Sequence, residues 1–468
     1  MRRREGGRVR AITFSEIEGP LAAVRVVSGP EVFLGVSTDT RTIRPGQLFI
    51  ALKGERFDGS VYAREALSKG AAGIVVGSAV EGIAPGTATV LLVADPLRAL
   101  GDLAAYARGL IQCQVIGVTG SNGKTTTKDL LAHFLSGRST VFRTPGNENN
   151  PVGLPRAVLS IGDEAWAVLE MGISKFGEMS RLSRIARPDI AVITNIGDTH
   201  LEFLRDRAGV ARAKGEILEG LDHGAVLVVP ADDPHARSIS DRFDGRVVTF
   251  GETEESDLRA ERIESAPDGV RISIAGGPEV KSPLPGKALA RLVLAAMAAG
   301  REAGLTLPEM AERAASFRMP PLRMGLEQIG RVSVLADCYN ANPSSMEAFL
   351  QEIPRLADGR RLVAVVGDML ELGPEGEAFH RRLGEEAAAA KPALLVGVGD
   401  AIQALLEAAG VAGLSPDCIR RYPTAEEAAE GLCGIVRAGD FVALKGSRRM
   451  RLERVVEGLR ARMGNGHA

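Results

Sequence analysis

The chain has 468 residues, 45% hydrophobic and 25% charged, which fits a soluble globular protein of roughly two to four domains. Its formal net charge of −2 argues against a duplex nucleic-acid binder, which needs a basic surplus to displace counterions, so any anion site must be local. The most apolar stretch, "ALARLVLAAMAAG", contains Arg291 and is too short to cross a bilayer, while Cys113, Cys338, Cys418 and Cys433 are far apart, as reduced cytoplasmic thiols would be.

The opening "MRRREGGRVR" is basic but no apolar run follows it, so it lacks the middle of a secretory signal and reads as a solvated tail. From there β-branched runs alternate with helical Ala/Leu/Glu/Arg segments, the pattern of α/β layers with parallel strands. A first block, to residue 111, offers strands at "VFLGVST", "GQLFIAL", "AGIVVG" and "TVLLVAD", with a helix at "VYAREALSKGA". A second opens at "CQVIGVTG" and adds "AWAVLEMG", "DIAVITNIG" and "AVLVVPADD", whose polar residues gather at their C-terminal ends, where open α/β sheets bind ligands. A third follows the prolines of "RMPPLRM" and carries "VSVLADCYN", "RLVAVVGDML", "ALLVGVGD" and "DFVALKG". Paired prolines cannot continue a helix, which puts a hinge at 318–323.

"GVTGSNGKTTTKDLL" is the most informative stretch. Gly120 and Gly123 let backbone N–H groups turn inward, and Ser121 and Asn122 fill the turn between them. Lys124 adds a charge, Thr125 offers a hydroxyl to Mg²⁺, and Thr126 continues into a helix whose N-terminus favours an anion. A nucleoside triphosphate is the expected guest. The strict phosphate-loop spacing requires glycine where Val118 stands, so the match is imperfect.

Glu170 closes the "AWAVL" run and is expected at a strand tip beside the loop, either holding Mg²⁺ or simply exposed at a strand end. His200 follows another strand, with metal contact and a structural role both open. Lys214 in "ARAKGEIL" reads by pattern as a solvated helix lysine. Asn147, Asn149 and Asn150 in "TPGNENNPVGLP" suit a ligand-facing turn. In "DCYNANPSSM", Asp337, Tyr339, Asn340 and Asn342 either clamp a ribose or base across a cleft or form an ordinary turn. Arg323, at the hinge, adds positive charge on domain closure or is an ordinary surface arginine.

Together these residues resemble, over nearly the whole chain, the ATP-dependent Mur ligases that build bacterial peptidoglycan precursors. "TGSNGKTTT" looks like their shared phosphate loop. "GNENNPVGLP", "EMGISKFGEM", "AKGEIL", "DCYNANPSSM" and "GDMLELGPEGEAFH", supported by "LKGSRRMRLERVV", are similar to the branch that joins D-alanyl-D-alanine to UDP-N-acetylmuramoyl-tripeptide.

The resemblance implies three domains: 1–111 for the UDP-sugar, 112–318 as the central ATP-binding parallel sheet, and 319–468 as a Rossmann-like domain. "STDTRTIRPGQLFIALKGERFDG" resembles the UDP-binding segment, which places Ser37, Thr38, Asp39, Arg41, Lys53 and Gly54 near the nucleotide sugar. It makes Lys214 a carbamylated lysine helping to hold the second of two Mg²⁺ ions, His200 a ligand of that ion, and Glu170 with Thr125 ligands of the ion toward ATP. Lys124 and Arg323 are then the phosphate-facing cations. Asn149 of the asparagine turn, with Asp337, Tyr339 and Asn340 across the cleft, joins the loop in holding ATP. The implied reaction converts the tripeptide carboxylate to an acyl phosphate, which the dipeptide amine then attacks, in the cytoplasm and without need of more than a monomer.

The chain departs from the family at Ala288, Leu289 and Leu292, where a His-Asn pair and a further Asn usually lie near adenine. For base recognition, weaker ATP binding, altered nucleotide preference and local misalignment are the open readings. Ala336 is a milder departure, at a place where an acidic residue often precedes the retained Asp337. Two other functions stay open: a related ligase adding a diamino acid or lysine to UDP-MurNAc-dipeptide, and a catalytically silent nucleotide-binding scaffold.

Overall fold

The computed structural model describes residues 11–54, 57–266, 268–319 and 322–463. The basic N-terminal stretch and the hinge prolines Pro320 and Pro321 lie outside the described residues.

Three sheets organise the chain. The first contains β1 (Val24–Val27), β2 (Val36–Ser37), β3 (Leu48–Ile50), β4 (Gly73–Val76) and β5 (Thr89–Leu92) in the order β1-β5-β4-β3-β2. All its pairings are parallel except β1 with β5. The candidate "VFLGVST" is not one strand: Gly35, at φ +106°, breaks it into Val32–Phe33 and Val36–Ser37.

The second sheet contains β6 (Gln114–Thr119), β7 (Val141–Arg143), β8 (Trp166–Glu170), β9 (Ile190–Ile193), β10 (Val226–Pro230), β11 (Arg246–Gly251), β12 (Leu258–Ala266), β13 (Gly269–Ile274) and β14 (Glu279–Ser282). Its order is β7-β8-β6-β9-β10-β11-β12-β13-β14. The first seven strands run parallel, and the last three form an antiparallel meander that the parallel expectation did not contain. That meander is stitched by short turns such as the one at Gly276, φ +63°, and needs no crossover helix. Strands β8, β9 and the inner part of β6 are buried on both faces, which explains their unbroken apolar runs.

The third sheet contains β15 (Gly325–Ile329), β16 (Val332–Asp337), β17 (Leu362–Gly367), β18 (Leu394–Val398), β19 (Ile419–Tyr422) and β20 (Phe441–Lys445), in the order β15-β16-β20-β17-β18-β19. Only the edge strand β15 is antiparallel.

Helix α1 (Lys124–Leu135) follows β6, and α2 (Lys287–Glu302) packs beside it over the second sheet. Nearly every residue of α2 beyond Leu292 is buried, so this short apolar segment is a core helix. Among the described residues no helix is long and apolar enough to cross a membrane.

In the third unit, α3 (Pro343–Ala357), α4 (Gly376–Ala389) and α5 (Gln403–Val411) lie side by side. A Cβ on Gly384 of α4 would stand 2.6 Å from the Leu405 carbonyl oxygen of α5, so the two helices meet at a glycine. Gly384→Ala gains about 1 kcal/mol of helix propensity but forces backbone apart at about 1–3 kcal/mol. Thermal unfolding should therefore fall by a few degrees; an unchanged or higher midpoint would show that the contact yields freely.

Candidate active site

Strand β6 delivers the chain to Gly120, at φ +144°, where any Cβ would collide with Thr194 Oγ1. Ser121 Oγ donates to the Gly197 carbonyl at 3.0 Å and accepts from the Gly197 N–H at 2.8 Å. The Asn122 N–H donates to Asn195 Oδ1 at 3.0 Å, and its carbonyl accepts from Thr194 Oγ1 at 2.6 Å and Asn195 Nδ2 at 3.1 Å. Gly123 then turns at φ +78° into α1. The loop is thus held from the segment after β9, a support that no local sequence pattern reveals.

The twelve-residue α1 begins at Lys124, and its first-turn N–H groups have no partner within the helix. Lys124 Nζ donates back to the Gly120 and Ser121 carbonyls at 2.8 and 3.3 Å. Burial pulls its pKa below the ordinary lysine value, Glu170 opposes this, and the nearby Arg323 charge adds to it. An anion in the loop would relieve both unfavourable effects.

Register explains the place of Glu170, which pairs across to Val118 two residues before the loop. It is 2% exposed, so the exposed strand-end alternative fails. Its Oε2 accepts from Thr125 Oγ1 at 2.8 Å and its Oε1 from Asn149 Nδ2 at 2.7 Å. Of the other two asparagines of that turn, Asn150 bonds to the Val152 and Gly153 N–H groups, and the Asn147 carbonyl accepts from the Asn149 N–H. Only Asn149 is bonded to the carboxylate.

Lys128, absent from the sequence reading, lies 3.8 Å from Glu170 Oε2 and donates to the Thr144 carbonyl at 3.0 Å, almost wholly buried. Its signal was spacing: four residues after Lys124, it falls on the same helical face. Thr126, two residues before it, is buried as well.

Lys214 is 1% exposed, which overturns the solvated-lysine pattern. Among the described residues its Nζ has neither a hydrogen bond nor an ion pair. Burial, assisted by the Lys124 charge, pushes its pKa well below the ordinary value.

His200 adopts a left-handed backbone, φ +54°, and its Nδ1 lies 2.6 Å from Glu371 Oε2 of the third unit. That bond holds the Glu371 carboxyl below its usual range. Glu371 was missed as well; it lies in "GDMLELGPEGEAFH" at φ +60°, a conformation unusual for glutamate. The structure therefore brings Lys124, Glu170, Lys214 and Arg323 within one electrostatic neighbourhood and turns His200 toward Glu371.

From the third unit, Arg323 lies over the Tyr339 ring at 3.9 Å. Lys445, also missed, pairs with Asp337 and donates to the Asn340 carbonyl at 3.1 Å. Asn342 bonds to Asn122 of the loop. Leu292 of α2 lies against Gly123, where a Cβ would be 2.5 Å from Leu292 Cδ1, and Leu289 is buried nearby on the helix while Ala288 is exposed.

In the first unit, Ser37 Oγ donates to the Asp39 carbonyl at 3.0 Å, and Arg41 forks onto the Asp39 carboxylate. The Arg41 bonds hold Asp39 down at about 2, with a smaller contribution from Arg156 of the second unit. Thr38 is half-buried; Lys53 stands 3.7 Å from Asp58 in an exposed hairpin with Gly54. Asp39 is thus within electrostatic reach of Arg156 of the second unit.

Three family descriptions match the chain: Mur ligase family, catalytic domain at residues 33–108; Mur ligase middle domain at 118–300; and Mur ligase, glutamate ligase domain at 323–448. The UDP-N-acetylmuramoyl-tripeptide--D-alanyl-D-alanine ligase of Bacillus subtilis is 36% identical, covering 92% of this chain and 93% of its own length. The Escherichia coli ligase of the same name is also 36% identical, over 82% of this chain and 86% of its own. Among solved structures, MurF from Acinetobacter baumannii superposes with TM-score 0.89 at 29% identity, covering 97% of this chain and 100% of that one. MurF from Thermotoga maritima in complex with ADP gives 0.81 at 29%, covering 92% and 98%. A phosphate loop braced by Glu170 and matches of this extent lead to one statement: the chain belongs to the Mur ligase family.

Proposed function

We propose that this chain is an ATP-dependent, ADP-forming amide ligase that joins D-alanyl-D-alanine to UDP-MurNAc-tripeptide in cytoplasmic peptidoglycan precursor synthesis, acting as a monomer. The single observation that carries the reading is the Thr125–Glu170–Asn149 arrangement at the phosphate loop, in a chain 36% identical to ligases of that name. Residues 1–111 take the UDP-sugar, with Ser37, Thr38, Asp39, Arg41, Lys53 and Gly54 beside it. Residues 112–318 take ATP through Gly120–Thr126 and Asn149. Residues 319–468 close from above with Arg323, Asp337, Tyr339 and Asn340.

In the first step a carboxylate oxygen of the tripeptide attacks the γ-phosphorus, the bond to ADP breaks, and an acyl phosphate forms. In the second the dipeptide amine attacks the acyl carbon, loses a proton, and phosphate leaves. Phosphoryl transfer asks little covalent chemistry of the protein, so positioning and charge carry it. Lys124 and Arg323 meet the phosphate charge. Closure excludes the water that would hydrolyse the acyl phosphate.

A hydroxyl and a carboxylate in contact, Thr125 and Glu170, are hard oxygen donors that would hold Mg²⁺. Among the described residues no three His, Cys, Asp or Glu gather as a ready cage, so a second ion needs another anion. Carbamylation of Lys214 supplies one: the neutral amine adds to CO₂ and releases a proton, and the partnerless, depressed amine is suited to it. His200 would complete that site. Bound Mg²⁺ would neutralise charge between two anionic substrates.

With purified protein, phosphate release should require both UDP-MurNAc-tripeptide and D-Ala-D-Ala; release with UDP-MurNAc-dipeptide and a diamino acid instead would refute the substrate assignment. Lys124→Ala should lower turnover by about 1000-fold or more while circular dichroism stays native, and near-normal rates would remove the loop from the reaction. For Lys214 the folded pKa lies below the unfolded one, so the unfolded chain binds the extra proton. Stability is lost at neutral pH and regained as pH rises toward 10.5. In CO₂-free buffer, Lys214→Met should melt above the parent at about pH 7, with the gap closing by about pH 10. The same variant should lose activity by about 100-fold or more. A pH-independent gap would mean that Lys214 is charged in the fold.

A further inference from the structure

Asn122 sits in the middle of the phosphate loop, yet its side chain leaves the loop and crosses to the third unit. Asn342 Nδ2 donates to Asn122 Oδ1 at 2.7 Å. Asn122 Nδ2 donates in return to Ser344 Oγ at 3.2 Å and to Asn342 Oδ1 at 3.4 Å. The loop does not need these bonds for its shape, because the Asn122 backbone is already held by Thr194 and Asn195. Nor does α3 need them: Asn342 Oδ1 caps that helix independently by accepting from the Ser345 N–H at 2.9 Å. Asn342 is 4% exposed, and Gly197 leaves the space for Ser344, since a Cβ there would lie 2.6 Å from Ser344 Oγ. Three polar side chains are therefore committed to joining two units at the phosphate loop, beyond what either unit requires for its own fold.

We infer that Asn122, Asn342 and Ser344 form a clasp that holds the third unit shut over the loop during the lifetime of the acyl phosphate; this rests on the ligase reading above. Asn342 and Ser344 are positioning residues. The clasp is made of neutral amides and a hydroxyl, so it closes without adding charge to a site already crowded with cations. Without it the unit opens more often and water enters. Water oxygen then attacks the acyl carbon, the carbon–oxygen bond to phosphate breaks, phosphate departs, and the tripeptide carboxylate and a proton are returned. ATP is consumed and no amide forms. The clasp thereby governs how many amides are made per ATP, separately from the phosphoryl transfer itself.

The test uses the full chain with Asn342→Ser, which keeps a capping side chain but loses the amide that reaches Asn122. Two measurements are made. The ratio of phosphate released to dipeptide ligated should rise about 5-fold or more, as the loss of two hydrogen bonds would shift a closing equilibrium. The KM for D-Ala-D-Ala should rise with it, while direct binding of a non-hydrolysable ATP analogue changes less than about 3-fold. In small-angle X-ray scattering, the parent should contract when that analogue and UDP-MurNAc-tripeptide are added together, and Asn342→Ser should contract less. Ser344→Ala should move each readout the same way by a smaller amount. Parental coupling and parental contraction in Asn342→Ser would overturn the clasp. If the parent forms no amide at all, the ligase reading falls, and the scattering comparison decides the clasp by itself: equal contraction in both proteins overturns it, and unequal contraction upholds it.

Discussion

Glu170 is the carboxylate against which the phosphate loop is built. Thr125 and Asn149 hold its two oxygens, Lys128 lies behind it, and its charge is the one that opposes the depressed pKa of Lys124. Lys124 and Lys128 both lie near it; Asp129 shares Lys128 at 3.4 Å, while Arg323 bears on Lys124. Cations held together away from water are costly unless anions meet them. Polyphosphate is an anion of the right kind for that place. An anion bound in the loop would meet the Lys124 and Arg323 charges as well as the N–H groups of the turn.

The second consequence of this arrangement is that the site belongs to two units. The segment Thr194–His200 braces the loop from below and meets the third unit through His200 and Glu371. The loop itself meets it through Asn122 and Asn342. Interfaces between units of one chain are commonly polar and yield to motion. Here the polar contacts reach the Asn122 side chain of the loop, whose backbone is held separately by Thr194 and Asn195.

Helix α2 lies directly against the loop. Leu292 fills the space over Gly123 and Leu289 is buried on the same helix. Leucine has no side-chain donor or acceptor, so Leu292 meets the loop by packing alone, and neither leucine could read the hydrogen-bonding edge of a base. The apolar length of α2, which in the sequence attracted notice as a membrane candidate too short to serve, is instead the support on which α1 rests.

The α/β character, the strand–loop–helix of residues 114–135 and the strand-tip position of Glu170 were legible because each depends on neighbours in the chain: apolar runs, glycines and a helix start. The antiparallel meander after β11 and the break at Gly35 were less so, since a bulge between Ala260 and Arg262 interrupts the alternation of β12 and Gly35 sits inside an otherwise unbroken apolar run. Lys214 looked like any helix lysine, and only its burial distinguishes it. Lys128, Glu371 and Lys445 went unremarked because their importance lies in partners 42, 171 and 108 residues away. The sequence by itself determined the strand, the glycine turn and the helix start of the loop; the tertiary structure decided which distant charges and amides surround it, because side-chain pairing depends on distance through space, which the order of residues along the chain does not encode.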